Sequence, residues 1–382
     1  MNWLADHPKI VQVETLRHPA QPHLLHLLLT AADGWVGTGE TIGAPTAVEA
    51  YVHDVLAAPL LRCESGAPAA LRIQCNRGFY GAPRGSGAVS VETAAASAVD
   101  IAAWDLAARR AGQSLSTLLG SSSREGVGVY NTCCDPDQEW GIGEEGLHRD
   151  FTRSVEDPAG LARELRAEGF ASMKMFHLAP ERDLGKDIDR VRDALEVEGI
   201  GVAVDLWGAF PLDEAFRVVE ALDGLGLSWI EDPLAPCDIR HLKRLAENST
   251  TPLCSGELLA GTAAFEQLAE AGISLLHYDI GWAGGVSGAL EVAISVAGTD
   301  RLMTFHDCSG PISWASSLHV ARCIPETAHV ECVRAYAHGL YPSIASGVPM
   351  ILNGVAVPLG PGHGCDLTTS FVAGCLRRIS GT

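Results

Sequence analysis

No apolar run in this sequence approaches the roughly 20 residues that a bilayer-spanning helix needs, so no membrane association is expected. Cations are scarce as well: 27 Lys and Arg face 47 Asp and Glu, a formal net charge of -20. A nucleic-acid backbone or an anionic bilayer would be repelled, and neither is expected as a partner. A small anionic substrate stays open, because one local cation can override the overall field. The 11 cysteines are odd in number and lack CxxC spacing, and the adjacent Cys133 and Cys134 suit neither an ordinary disulfide nor a zinc clip. Such usage predicts buried free thiols in a reducing, cytoplasmic setting. The opening MNWLADHPKIVQVETLRH has no basic segment followed by an apolar core, so no signal peptide is expected.

Apolar residues are plentiful, at 47% with a mean hydropathy of +0.13, which predicts a well-filled globular core. The first stretch reads as antiparallel strands, IVQVETLRH and HLLHLLLTAADGWVGTGET, with ADG as a turn. SVETAAASAVDIAAWDLAARRAG follows, with an acid in its first turn, arginines in its last and Gly112 beyond, so it reads as a helix. Together they predict an α+β domain over residues 1–125. From residue 126 to 354 the pattern becomes strand, loop, helix, repeated, which predicts parallel strands with right-handed crossovers. Asp205, Glu231, Glu257, Asp279, His306 and Glu331 recur at intervals of 22 to 27 residues, each at or just past the end of an apolar run. A unit this short is one β/α pair, so the prediction is an α/β protein built on a (β/α)8 TIM barrel with an N-terminal capping domain.

Chemistry in such a barrel sits at the C-terminal ends of the strands. Asp205, Glu231 and Glu257 end three consecutive strands, which places three carboxylates on one arc of the mouth. They would repel one another unless protonated or bridged by a cation. Hard oxygen ligands favour Mg2+ over zinc. Asp279 and His306 fall on the next two strand ends, and a carboxylate beside an imidazole fixes its tautomer and raises its basicity. Lys174 ends the second strand and either steadies an anionic substrate or is a strand-end lysine facing water. Glu331 either hydrogen-bonds substrate or caps the barrel. Trp207 shares a face with Asp205, where it lines a sugar pocket or packs the core. In WIEDPL, Glu231 is expected to point inward while Asp232 turns away and caps the loop with Pro233.

These segments resemble the enolase superfamily, in particular its mandelate racemase subgroup. AAASAVDIAAWDLAARRAGQSLSTLLG is similar to the helix of that family's N-terminal domain. GFASMK, VDLWG, WIEDPL, SGELL, HYDIGWAGGVSGALEVA and FHDCSGP are similar to its successive strand ends. PLGPGHGCDL resembles the segment that returns to the capping domain, so residues 355–382 are expected to complete it. The resemblance implies Mg2+ on Asp205, Glu231 and Glu257, an Asp279–His306 dyad, and a proton taken from the carbon beside a substrate carboxylate as enediolate charge falls on the metal. It also implies a symmetric homo-oligomer.

Racemases of the family end the second strand in Lys-x-Lys, and the second lysine is a base on the far face of the substrate. Here those positions are Lys174, Met175 and Phe176, and phenylalanine carries no proton. One-base chemistry therefore fits better: His306 removes the α-proton and returns it to a departing β-hydroxyl, giving a 2-keto-3-deoxy acid. Phe176, with the Asp-x-Trp of Asp205 and Trp207, resembles rhamnonate-type acid-sugar dehydratases. The expectation is an Mg2+-dependent hydro-lyase acting on aldonic or aldaric acids. The alternatives are a racemase, epimerase or cycloisomerase of the same superfamily, with His306 and a second catalytic acid such as Lys174, or a metal-binding barrel without catalysis. Arg17, His18 and Thr41 stand in the N-terminal loops as candidates for specificity.

Overall fold

The computed structural model describes residues 7–77, 87–121, 126–134, 148–176 and 178–381. The domain boundary expected at residue 125 lies outside the described residues. β1 (Ile10–Arg17), β2 (Leu24–Ala31) and β3 (Val36–Ile42) form an antiparallel sheet. The last strand of the chain, Leu376–Gly381, pairs antiparallel on the outer side of β1. The return of the chain is gradual: Val355–Val357 still pairs with a barrel strand, and only Leu376–Gly381 joins the cap sheet.

The long helix α1 (Val91–Arg110) lies across this sheet. Ser90 begins it with a reciprocal box, its Oγ accepting from Thr93 N while Ser90 N donates to Thr93 Oγ1. Two glycines of β3 let the alanine-rich face come down on bare backbone. A Cβ on Gly39 would stand 2.0 Å from Ala98 O, and one on Gly37 2.1 Å from Ala102 O.

Eight short strands follow, and their residues are almost all buried, as parallel strands covered on both faces must be. They are β4 (Val127–Cys133), β5 (Ser172–Met175), β6 (Gly201–Asp205), β7 (Ile230–Glu231), β8 (Leu253–Ser255), β9 (Leu275–Tyr278), β10 (Leu302–Phe305) and β11 (Val330–Cys332). Strands β4 to β10 pair in sequence order, each parallel to the next. β11 closes the ring by pairing parallel with β4, and a bridge between Met303 and Thr327 joins β10 to the approach of β11. Helices α2 (Pro158–Ala167), α3 (Leu184–Leu195), α4 (Leu212–Leu222), α5 (Ile239–Asn248), α6 (Thr262–Glu270), α7 (Gly285–Val296) and α8 (Pro311–Ala321) link the strands. All 11 cysteines are free, and seven are buried. Among the described residues no helix is long and apolar enough to cross a membrane.

Two joints tie the cap to the barrel at α8. Glu40 of β3 accepts from Ile312 N at 3.0 Å and Ser313 N at 2.9 Å, satisfying the first free amides of the helix, and His26 Nε2 holds it at 2.8 Å. Further along, His319 Nε2 donates to Leu359 O at 2.8 Å while its Nδ1 accepts from Ser116 N at 3.3 Å. Burial pushes the His319 pKa down to about 4. Its folded pKa lies below the unfolded value of about 6.5, so its contribution is complete above pH 6.5 and lost as pH falls toward 4. At about 1.4 kcal/mol per unit, the loss reaches about 3 kcal/mol. Denaturant midpoints measured from pH 7 to 4 should fall less steeply for His319→Gln than for the wild type.

Candidate active site

The C-terminal ends of the barrel strands carry a dense set of ionisable side chains. Asp205 ends β6 beside Glu231, its Cα partner at the end of β7, and Glu257 follows β8 by two residues. Sharp turns come directly afterwards: Trp207 has φ 48 and Asp232 has φ 35, left-handed conformations that non-glycine residues seldom adopt. Trp207 N donates to Asp205 Oδ1 at 2.9 Å, and Trp229 Nε1 donates to Glu231 Oε2 at 3.0 Å, so each carboxylate is aimed by a residue two positions away in sequence.

Lys174 sits beneath this arc and is 1% exposed. Its Nζ lies 2.5 Å from Glu231 Oε1, 2.8 Å from Glu331 Oε1 and 3.2 Å from Asp205 Oδ2. His277 lies beside it, Nδ1 3.1 Å from Glu231 Oε1 and Nε2 3.3 Å from Glu331 Oε2. Glu331 also accepts from Thr132 Oγ1 and from Asp307 N at 3.1 Å. Lys174 and Glu331 thus meet protein groups and not open space.

The charges divide into two groups. Burial opposes ionisation of Glu231 and Glu331, yet Lys174 and His277 hold both well below the usual carboxylate range. Burial likewise works against the His277 cation, but Glu231 and Glu331 lift its pKa to about 10. Two cations therefore match two anions. Asp205 and Glu257 remain, each pushed up to about 7, first by burial and then by neighbouring carboxylates. Two under-compensated hard-oxygen donors beside a third give Asp205, Glu231 and Glu257 the donor chemistry for Mg2+, while the ligand atoms that converge within 4.8 Å among the described residues are those of Glu231, Cys254 and His277.

On the next two strands, His306 Nδ1 donates to Asp279 Oδ2 at 2.6 Å. Asp279 is itself fixed by Ser309 Oγ, by Gly281 N at 2.6 Å and by Trp282 N at 3.1 Å. His306 Nε2 faces Glu257 Oε2 at 3.5 Å. Burial acts to lower the His306 pKa, but Glu257 and Asp279 outweigh it and hold it well above the usual imidazole range. Trp282 lies against the His306 ring, centroids 5.3 Å apart, and donates from Nε1 to Glu257 O at 2.5 Å. Phe176 follows β5, across the closed ring from β9 and β10. It meets Trp207 edge to face at 5.8 Å, and both line a cavity of about 360 Å³ together with Phe151, Arg182 and Asp205. Trp207 is 55% exposed there, which favours the pocket-lining alternative over core packing.

Asp232 departs from expectation. It is buried, accepts from Ser255 Oγ, and its pKa is pushed up to about 8 by burial and Glu257. The left-handed turn at this residue sends its side chain inward instead of toward Pro233. Three other residues escaped sequence reasoning. His277 precedes Asp279 by two positions, so strand alternation alone places both on the inner face. Trp229 bears the same relation to Glu231, whereas Trp282 lies in a loop that carries no such signal. Of the candidates expected in loops, Arg17 ends β1 and pairs with Glu49 at 2.9 Å, Thr41 lies buried within β3, and His18 stacks on Phe371.

The enolase C-terminal domain-like family model matches residues 158–370, and the mandelate racemase / muconate lactonizing enzyme N-terminal domain model matches residues 5–120. D-galactarolactone cycloisomerase of Agrobacterium fabrum is 26% identical over 92% of this chain and 91% of its own. D-galactonate dehydratase of Verminephrobacter eiseniae is 29% identical over 82% of this chain and 78% of its own. A solved enolase protein from the Sargasso Sea environmental genome sequencing superposes with a TM-score of 0.85 at 30% identity, covering 98% of this chain and 99% of that one.

Proposed function

Because the chain belongs to the mandelate racemase subgroup of the enolase superfamily, we propose that it is a Mg2+-dependent dehydratase of sugar acids. One observation carries this reading: among the described residues, the base paired with a carboxylate at the strand ends is His306 on Asp279 at 2.6 Å, and the side across the ring presents Phe176. Relatives named as a dehydratase and a cycloisomerase of sugar-acid compounds support the same substrate class.

Asp205, Glu231 and Glu257 would hold Mg2+, which supplies positive charge to offset the negative charge gathering on the substrate carboxylate as the α-proton leaves. The protein supplies the rest. Asp279 accepts from Nδ1–H; with Glu257 engaged by a cation in place of the imidazole, Nε2 of His306 would be the lone pair for the α-proton. The resulting imidazolium is stabilised by Asp279 and delivers that proton to the β-hydroxyl, which departs as water. The enol that remains tautomerises to a 2-keto-3-deoxy acid. Lys174 and Glu331, engaged with each other and with Asp205 and Glu231, hold the arc in place beneath the substrate. Trp207 and Phe176 line the cavity that takes the sugar chain.

Incubating the protein and Mg2+ with a panel of aldonic and aldaric acids should yield a 2-keto acid from at least one. A panel without any keto product, but with deuterium entering the α-carbon of an unreacted or isomeric acid in D2O, would favour isomerase or cycloisomerase chemistry.

A further inference from the structure

We propose that Glu231, Cys254 and His277 form a separate site for a thiophilic divalent cation such as Zn2+, one layer below the carboxylate arc. One ligand atom from each lies within 4.8 Å of the other two, and all three side chains are buried. Their placement follows from the barrel. Glu231 and Cys254 are Cα partners on β7 and β8, and His277 is on β9, the next strand. Ligands at about 2.0–2.3 Å from one ion stand up to about 4 Å apart in a tetrahedron, so small side-chain shifts complete the set. Three protein ligands of mixed O, S and N type leave a fourth position open, as zinc accepts.

His277 can exchange its present ion pairs for a metal. Neither ring nitrogen has a well-aligned hydrogen bond among the described residues, although carboxylate oxygens come within 3.1 and 3.3 Å. With Nδ1 on a cation, Nε2–H is left for Glu331, the carboxylate–imidazole pairing that orients metal-bound histidines. Lys174 does not block the change. On leaving Glu231 it keeps Glu331 at 2.8 Å and Asp205 at 3.2 Å. The charges close too: the Glu231 carboxylate and the Cys254 thiolate match one dication, with the thiol proton and the Nδ1 proton of the His277 imidazolium both released to solvent.

Mg2+ avoids a thiol and stays with the oxygen ligands above, whereas a thiophilic ion is drawn to Cys254. Glu231 belongs to both sets, so the two occupancies exclude each other. The inhibition that follows rests on the proposed function; the site itself does not.

The test is a titration of the full chain with Co2+, read by absorption. One equivalent should give tetrahedral cobalt bands and a thiolate-to-cobalt charge-transfer band. Zn2+ should abolish both, and Mg2+ should weaken Co2+ binding in proportion to its concentration. Cys254→Ser, with wild-type circular dichroism, should lose the charge-transfer band. His277→Gln should keep that band at an affinity lowered at least tenfold. A wild type without a thiolate band overturns the proposal, as does a band unchanged in Cys254→Ser. Should Cys254→Ser not fold, Mg2+ competition decides: Co2+ binding indifferent to Mg2+ would place the cobalt on another of the cysteines. All these readings are independent of turnover, so failure to dehydrate any sugar acid leaves them standing.

Discussion

His306→Asn is expected to lower turnover by about 10²- to 10⁴-fold, the usual worth of a positioned base, while Mg2+ affinity stays close to wild type. The imidazole touches Asp279 at 2.6 Å and approaches Glu257 only at 3.5 Å, so its loss bears on proton transfer far more than on the carboxylate arc. An asparagine amide can still donate to Asp279 Oδ2, which keeps the loop after β10 in place. Loss of keto-acid product should be accompanied by loss of α-deuterium exchange in D2O, because one nitrogen serves both events. Exchange that survives in the variant would put the base elsewhere.

Lys174→Met is expected to cost about 3–5 kcal/mol of stability in metal-free protein, the penalty for leaving buried charges without their partner. Methionine retains the length of the stem, so the loss is electrostatic. Three carboxylates, Asp205, Glu231 and Glu331, would then be left with the imidazoles of His277 and His306 as nearby cations. Saturating Mg2+ should restore much of the difference by taking over the charge of Asp205 and Glu231. Denaturation curves with and without Mg2+ provide the check. An equal loss in both conditions would mean that the cation does not reach this arc.

The two expectations differ in how legible their residues were. The acids at the strand ends stood out because a β/α repeat of 22 to 27 residues returns the same kind of residue to the same rim. The antiparallel cap strands and α1 were legible from alternation, turns and a capped alanine-rich stretch. Asp232 was misread because sequence gives no sign that its backbone adopts φ 35, and that turn decides where the carboxylate goes. The Glu40 cap on α8 links residues 272 positions apart, which periodicity cannot reveal. Lys174 was placed on the right strand, but its engagement with three carboxylates depends on closure of the barrel, a tertiary event. His277 carries a readable signal, two positions before Asp279 on the same strand face.

We propose that Asp205, Glu231 and Glu257 share one magnesium ion across from the His306 imidazole. A crystal structure of the protein with Mg2+ and a sugar acid it turns over tests this most directly. One ion should be bound by an oxygen from each of the three carboxylates, with His306 Nε2 facing the carbon beside the substrate carboxylate. An ion held by other residues, or an imidazole with no access to that carbon, would contradict it.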